Sequence, residues 1–342
     1  MRRPRLTWAW LAAGLAVLAA ALVLGATAGA ASITPADIGG ELLSRVWPGM
    51  DSPLDERERA VLVQLRLPRV VLGAVVGGLL ATAGASYQGV FRNPLADPYL
   101  LGAAGGAGLG ATLVMVFGQS LDAAPQAAIP ASAFVGALLG VAAAYALGTT
   151  AGGGSAALVL AGVAVSSFLS AAQTLVQQFR LDDLQRVYTW LLGGVGHGGW
   201  DEVRMIAPYA VVSVLLLLAC GYLLDMLALG DEKAHSLGLN PAAVRMLVIS
   251  AASLATAAAV AVSGLIGFVG IIVPHMVRRL VGTGHRLLLP MSLLVGAGFM
   301  VLVDIVARTA LAPAELPLGV VTAFLGAPFF IVILRTTRHR GT

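Results

Sequence analysis

The sequence has one cysteine, one lysine and little charge of either sign in 342 residues. Cys220 has no partner for an intrachain disulfide, so redox surroundings cannot be read from it; inside an apolar run it reads as a small packing residue. The one lysine, Lys233, lies in Gly230-Asp231-Glu232-Lys233-Ala234-His235-Ser236. A P-loop needs Gly-Lys-Ser/Thr after a glycine-rich turn, so that backbone amides and the ammonium hold the phosphates. With no such run, this chain does not hydrolyse ATP by that route. His197, His235, His275, His285 and His339 share no ligand spacing and no His-Glu-x-x-His occurs, so no metal site is expected. Charged residues make up 11% of the chain, against about 25% in soluble domains, and residues 6–36 and 123–179 carry none. That excludes a soluble globular enzyme. The net charge of +4 is spread as arginines between apolar runs, which is no basic stripe for nucleic acid.

What is present is apolar: 58% hydrophobic residues and a mean hydropathy of +0.89. A bilayer core about 30 Å thick takes roughly 20 apolar residues as a helix. The first run, from about residue 6 to 31, exceeds a signal-peptide core and reads as a retained span. Others fall near 70–91, 99–118, 127–148, 156–178, 205–224, 245–263, 266–281, 287–311 and 316–334. The spacing predicts about ten membrane helices in one all-α domain over residues 1–342. Gly106-Ala107-Gly108-Leu109-Gly110-Ala111 carries the letters of a dinucleotide fingerprint without a preceding strand. Gly102, Gly106 and Gly110 instead form a small-residue face for close helix packing.

An even number of spans puts both termini on one side, and Arg2, Arg3, Arg5, Arg335, Arg338 and Arg340 place that side in the cytoplasm. Residues 32–69 are then an outer loop and 225–244 an inner one. Arg45, Arg57, Arg59, Arg66 and Arg69 remain outside against the usual bias, with Asp55, Glu56 and Glu58 nearby. Thr34-Pro35-Ala36-Asp37 predicts a short outer helix with Ile38, Leu42 and Val46 on one face. Asp304 is the one clear intramembrane acid, and Arg308, one turn on, is its expected partner. An ion-driven secondary transporter would need more such groups at mid-membrane. An intramembrane enzyme would need a Ser/Lys or paired-Asp constellation, and none is visible. Ser166, Ser170, Thr174 and Gln177 give the fifth span a mildly polar face, which suits either a pathway wall or helix packing. Between the sixth and seventh spans, Asp231 is placed to cap a short helix stopping at Gly238, and Asn240-Pro241 starts the next helix.

Three segments together resemble one family. The first is Arg66-Leu67-Pro68-Arg69 with Gly73, Gly84, Gln88 and Asn93-Pro94-Leu95-Ala96-Asp97-Pro98; the second is Leu229-Gly230-Asp231-Glu232 through Ala234 to Leu237-Gly238-Leu239. The third runs from Gly264 to Gly270, then Pro274-His275 and Arg278, Asp304 to Arg308, and Glu315-Leu316-Pro317-Leu318-Gly319. The chain resembles the FecCD permeases of ABC importers for iron-siderophores, haem and vitamin B12. The resemblance implies a vitamin B12 importer permease-like fold of ten helices in a bacterial cytoplasmic (inner) membrane, a homodimer, two ATP-binding cassette subunits and an extracytoplasmic binding protein. It implies a permease that is not itself an enzyme and binds no cofactor, ATP being used by the partner subunit. It implies binding-protein docking on Arg66, Arg69 and Arg308, a cytoplasmic gate at Asn93, Pro94 and Leu95, and an ATPase coupling loop of Leu229, Gly230, Asp231, Glu232, Ala234, Leu237, Gly238 and Leu239. A ferric siderophore or related chelate is the expected cargo, with haem or vitamin B12 as alternatives.

Overall fold

The computed structural model describes residues 4–338 apart from 30–31, 48, 50, 119–126 and 197. Arg2, Arg3 and Arg340 lie outside the described residues, as do the side chains of Arg5, Arg335 and Arg338 and, of the histidines weighed as ligands, His197 and His339. The described residues form the helices α1 (Pro4–Thr27), α2 (Pro35–Val46), α3 (Glu56–Ala60), α4 (Leu67–Phe91), α5 (Ala103–Phe117), α6 (Ala128–Thr150), α7 (Ser155–Gln177), α8 (Leu184–Leu191), α9 (Trp200–Ala219), α10 (Gly221–Leu227), α11 (Asp231–Ser236), α12 (Pro241–Ser263), α13 (Val269–Val281), α14 (His285–Thr309) and α15 (Leu318–Arg338). No strand occurs among them. Seven stretches are long and apolar enough to cross a membrane: α1, the continuous helix over 56–91, α6, α7, α9, α12 and α14. α5 and the apolar part of α15 are shorter apolar helices, and α13, of 13 residues with Arg278 and Arg279 in its last turn, stands where the eighth span was expected. Each of the ten expected spans thus has a helix, seven of them long and apolar enough to cross a membrane.

α4 is the axis of the bundle. Residues 76–91 are all buried, because α14, α12, α13 and α9 pack around it. A helix apolar on every side finds no better place than the centre. Close approach depends on glycine. A Cβ at Gly84 would collide with the Gly270 backbone, and one at Gly106 with Gly136 of α6. The expected face of Gly102, Gly106 and Gly110 therefore does pack a helix, against Gly140, Gly136 and Ser132.

Two helices are shorter than their spans because irregular backbone replaces part of each. α13 has 13 residues, roughly 20 Å at 1.5 Å per residue, and begins three residues after the expected boundary. Before it, residues 264–268 are non-helical, with Gly264 and Phe268 at positive φ, and residues 92–102 form a run of turns before α5. The two segments meet, with the Tyr99 hydroxyl donating to Ile266 O at 3.1 Å and accepting from Ile266 N at 3.2 Å. Non-helical backbone is tolerated at depth only when protein surrounds it in this way.

The segment between α1 and α4 corrects two expectations. The boundary near residue 70 falls inside continuous helix: Leu67 N–H reaches back to Leu62 O in a widened π turn over Val61–Arg66, just ahead of Pro68. In α2 the predicted cap is present, since Thr34 Oγ1 accepts from Asp37 N at 3.3 Å while Asp37 Oδ2 accepts from Thr34 N at 2.8 Å. The buried face differs, however. Ile38 and Glu41 are buried while Leu42 and Val46 are exposed, because Glu41 collects Ser52 Oγ at 2.6 Å, Arg45 Nε at 2.9 Å and Arg59 Nε at 3.0 Å. One carboxylate thus accounts for two of the outer arginines.

Candidate functional site

At the end of the bundle where α4 begins, Arg66, Arg69 and Arg308 converge. The π turn carries Arg66 to the end of α1, where Nη1 donates to Ala26 O at 3.1 Å and Thr27 O at 2.9 Å. Arg308 reaches the same helix end, donating to Ala28 O at 3.0 Å and Gly25 O at 2.5 Å. Last-turn carbonyls have no partner within their helix, so guanidinium suits them. Asp304 pairs chiefly with Arg69, whose Nη2 lies at 2.8 Å and Nε at 3.1 Å from it; Arg308 Nε is farther, at 3.5 Å. The expected i,i+4 pairing is therefore secondary, because the start of α4 lies beside the end of α14 and brings a full guanidinium fork across. Arg69 also holds Glu315 at 2.8 Å. A cavity of about 480 Å³ opens beside the three arginines, Glu315 and Gln64.

Beneath lie two larger cavities that the sequence did not announce. One, of about 780 Å³, is lined by Gln185, Arg186 and Thr189 of α8 together with Arg69 and Glu315. The other, about 690 Å³ and mainly apolar, lies between Phe268 and Phe324. Three irregular segments meet between them, with Gly194 N bonded to Ser263 O at 2.8 Å, Leu318 N to Gly193 O at 3.0 Å and Gly319 N to Leu192 O at 3.0 Å. Neighbouring residues face opposite ways: Gly193, Gly264 and Leu318 line the larger cavity, and Leu192, Leu265 and Gly319 the apolar one. Gly193, at φ +73°, approaches Leu265 O so closely that a side chain there would collide. The seam is a thin partition of backbone between the polar-lined cavity and an apolar chamber that opens to the surface at the exposed Phe324.

At the opposite end, α4 stops at Arg92 in the left-handed region (φ 50°) and Asn93-Pro94-Leu95 forms a turn, with Leu95 N donating to Asn93 Oδ1 at 3.0 Å. Asn93 and Pro94 are exposed and Leu95 is half-buried. Gln88 braces the turn from inside: Nε2 donates to Gly270 O at 3.0 Å and Ala96 O at 3.4 Å, and Oε1 accepts from Arg278 at 2.7 Å. Burial raises the Asp97 carboxyl to about 6. In the loop over residues 225–244 the short helix exists, but Asp231 does not cap it. Gly230, at φ +106°, is the cap residue and Asp231 the first helical one. Its carboxylate turns instead to Arg245 and Arg92, and the hydrogen bond from Arg245, aided by both positive charges, holds it below the ordinary carboxylate value. Leu239 N bonds Ala234 O at 3.0 Å across Gly238 (φ +84°), closing the helix as expected. Asn240 caps α12 by accepting from Ala243 N at 3.1 Å. Glu232, Leu229 and Leu237 are exposed, whereas Ala234 is fully buried and Leu239 half-buried, so those two pack inward and not on a surface.

The fifth-span candidates lie apart from these features. Ser170 and Thr174 are exposed, Ser166 is half-buried and Gln177 buried. None of the four lines any of the three cavities, and Ser166 packs closely on Gly105. Gln88 entered the sequence reading only as part of the family motif and Arg92 and Arg245 were given no role, the signal being a polar residue at the end or the start of a long apolar run.

A bundle of apolar helices with unwound segments at depth and chambers divided by a backbone seam defines a membrane permease. Residues 17–336 match the FecCD transport family, and the chain belongs to that family. It is 39% identical over 330 residues, 96% of this chain and 93% of the relative, to an uncharacterised ABC transporter permease protein of Bacillus subtilis. It is 37% identical to the cobalamin import system permease protein of Halobacterium salinarum, covering 97% of each. Among solved structures it resembles a metal-chelate type ABC transporter in an inward-facing conformation, with a TM-score of 0.83, 32% identity, and 95% and 98% of the two chains covered.

Proposed function

We propose that this chain is the permease subunit of a binding-protein-dependent ABC importer that moves a ferric siderophore or related metal chelate into the cytoplasm. The observation that carries the reading is the FecCD match over residues 17–336, joined to a sequence without a phosphate-binding loop. Hydrolysis then belongs to two separate ATPase subunits on the face bearing Leu229 and Leu237. Both chain ends lie on that cytoplasmic side. Two copies of the chain form the pathway, and a loaded binding protein offers acidic side chains to the outer cavity beside Arg66, Arg69 and Arg308, where three guanidiniums face two carboxylates. Guanidinium forks donate to such carboxylates bidentately. A chamber with an apolar wall has few groups able to trap a polar chelate, which favours release over retention, and cargo recognition rests with the binding protein.

Reconstitution tests the reading. In vesicles, the chain with its ATPase and binding protein is expected to take up a ferric chelate only when ATP is supplied, and the chain alone to neither hydrolyse ATP nor concentrate solute. Uphill accumulation by the chain alone overturns it.

A further inference from the structure

Asp231, the first residue of α11, holds two arginines from two other elements. Its Oδ1 and Oδ2 each lie 2.7 Å from Arg245 Nη2 near the start of α12, and Oδ1 also pairs with Arg92 at the end of α4. The backbone fixes Arg92 against the turn that follows: its N–H returns to Gly89 O at 3.4 Å, and the next N–H, of Asn93, to Gln88 O at 3.1 Å. The guanidinium is thus one residue from the turn at 93–95. Further along the same segment, Tyr99 grips Ile266 through both of its hydroxyl hydrogen bonds. Leu265 and Phe268, on either side of Ile266, line the apolar chamber.

α11 itself is weakly anchored. It has six residues with one of them buried, Ala234, and it is bounded by Gly230 and Gly238, both at positive φ. Glycine at both ends lets so short a helix rock as a body. Without a side-chain tie, such rocking would be absorbed at the two hinges.

We propose that the Asp231–Arg92 ion pair is a strut that carries displacement of α11 to the turn at 93–98 and, through Tyr99 and Ile266, to the wall of the apolar chamber. Asp231 and Arg92 are positioning residues for transport. The inference rests on the reading of the inner loop as the face an ATPase moves. Removing Arg92 leaves Asp231 bound to Arg245, so α11 stays fastened to α12 while its link to the turn is lost. Arg92→Gln therefore isolates the strut.

The test uses the complete permease–ATPase complex with Leu95→Cys in the turn, probed by a water-soluble maleimide with and without ATP and vanadate. With Arg92 present, nucleotide should change the labelling rate by about five-fold or more, the lower range of coupling between sites. Arg92→Gln should keep ATPase binding and hydrolysis yet abolish that difference. Asp231→Asn should abolish it too, the double variant should be no worse than either single one, and Arg92→Lys should restore much of it. A nucleotide-dependent difference that persists in Arg92→Gln overturns the strut. So does loss of ATPase binding by Arg92→Gln, which would make the pair a plain structural tie. If the ATPase reading itself fails, no nucleotide response and no bound ATPase are seen even with Arg92 intact, and both proposals fall.

Discussion

Arg69 serves two carboxylates whose surroundings differ: the Asp304 side chain is 3% exposed and that of Glu315 48%. Burial decides what each pairing is worth. Removing one partner of a buried pair strands the other charge and costs about 3–5 kcal/mol, whereas an exposed pair contributes about 1 kcal/mol or less. Asp304→Ala is thus expected to lower the unfolding temperature in detergent sharply, and Glu315→Gln to leave it within a few degrees; equal shifts would contradict the assignment. Arg69 also shows where sequence reading stops. Arg308 lies four residues from Asp304 and was visible as a partner, but Arg69 lies 235 residues away, and only packing of α4 on α14 makes it the stronger one. Asp231 repeats the lesson, since its place before a short helix suggested a cap while two arginines from elsewhere took its oxygens.

At the scale of elements, the helices were legible because apolar length and glycine spacing are local properties. Gly102, Gly106 and Gly110 announced a close-packing face on α5, and the structure supplied its partner, Ser132, Gly136 and Gly140 of α6. Gly106→Val places branched carbon against the Gly136 backbone, and overpacking of this kind costs about 1–3 kcal/mol. The expected outcome is a lower thermal midpoint and less folded protein recovered from membranes, while the same change at Gly39, where no atom lies within 4 Å, should be nearly silent. The irregular elements were legible only in part. α8 is too short and too polar to read as a span, and although residues 92–98 read as a turn, residues 99–102 and 266–268 read as the starts of helices. Their non-helical course is enclosed where the two segments meet through Tyr99 and Ile266.

For the whole molecule, two groups of arginines sort to opposite ends of the bundle. Arg66, Arg69 and Arg308 gather at one, and Arg92, Arg245 and Arg278 lie near the other. The single lysine, exposed in α11, belongs to the second end. A membrane-impermeant amine reagent should therefore modify Lys233 in inside-out vesicles and not in intact cells; modification in intact cells would invert the proposed topology.

The sequence by itself determined that this is an all-helical membrane protein of ten apolar helices, which helix faces are small enough to touch, and the family it joins. Each follows from composition and short spacings along the chain. Only the tertiary structure decided which charges pair, where helices give way to non-helical backbone, and that a seam of three loops divides two cavities. Those depend on groups hundreds of residues apart meeting in a low-dielectric interior, where an unpaired charge or amide is too costly to leave and partner choice is set by whichever element packs nearest.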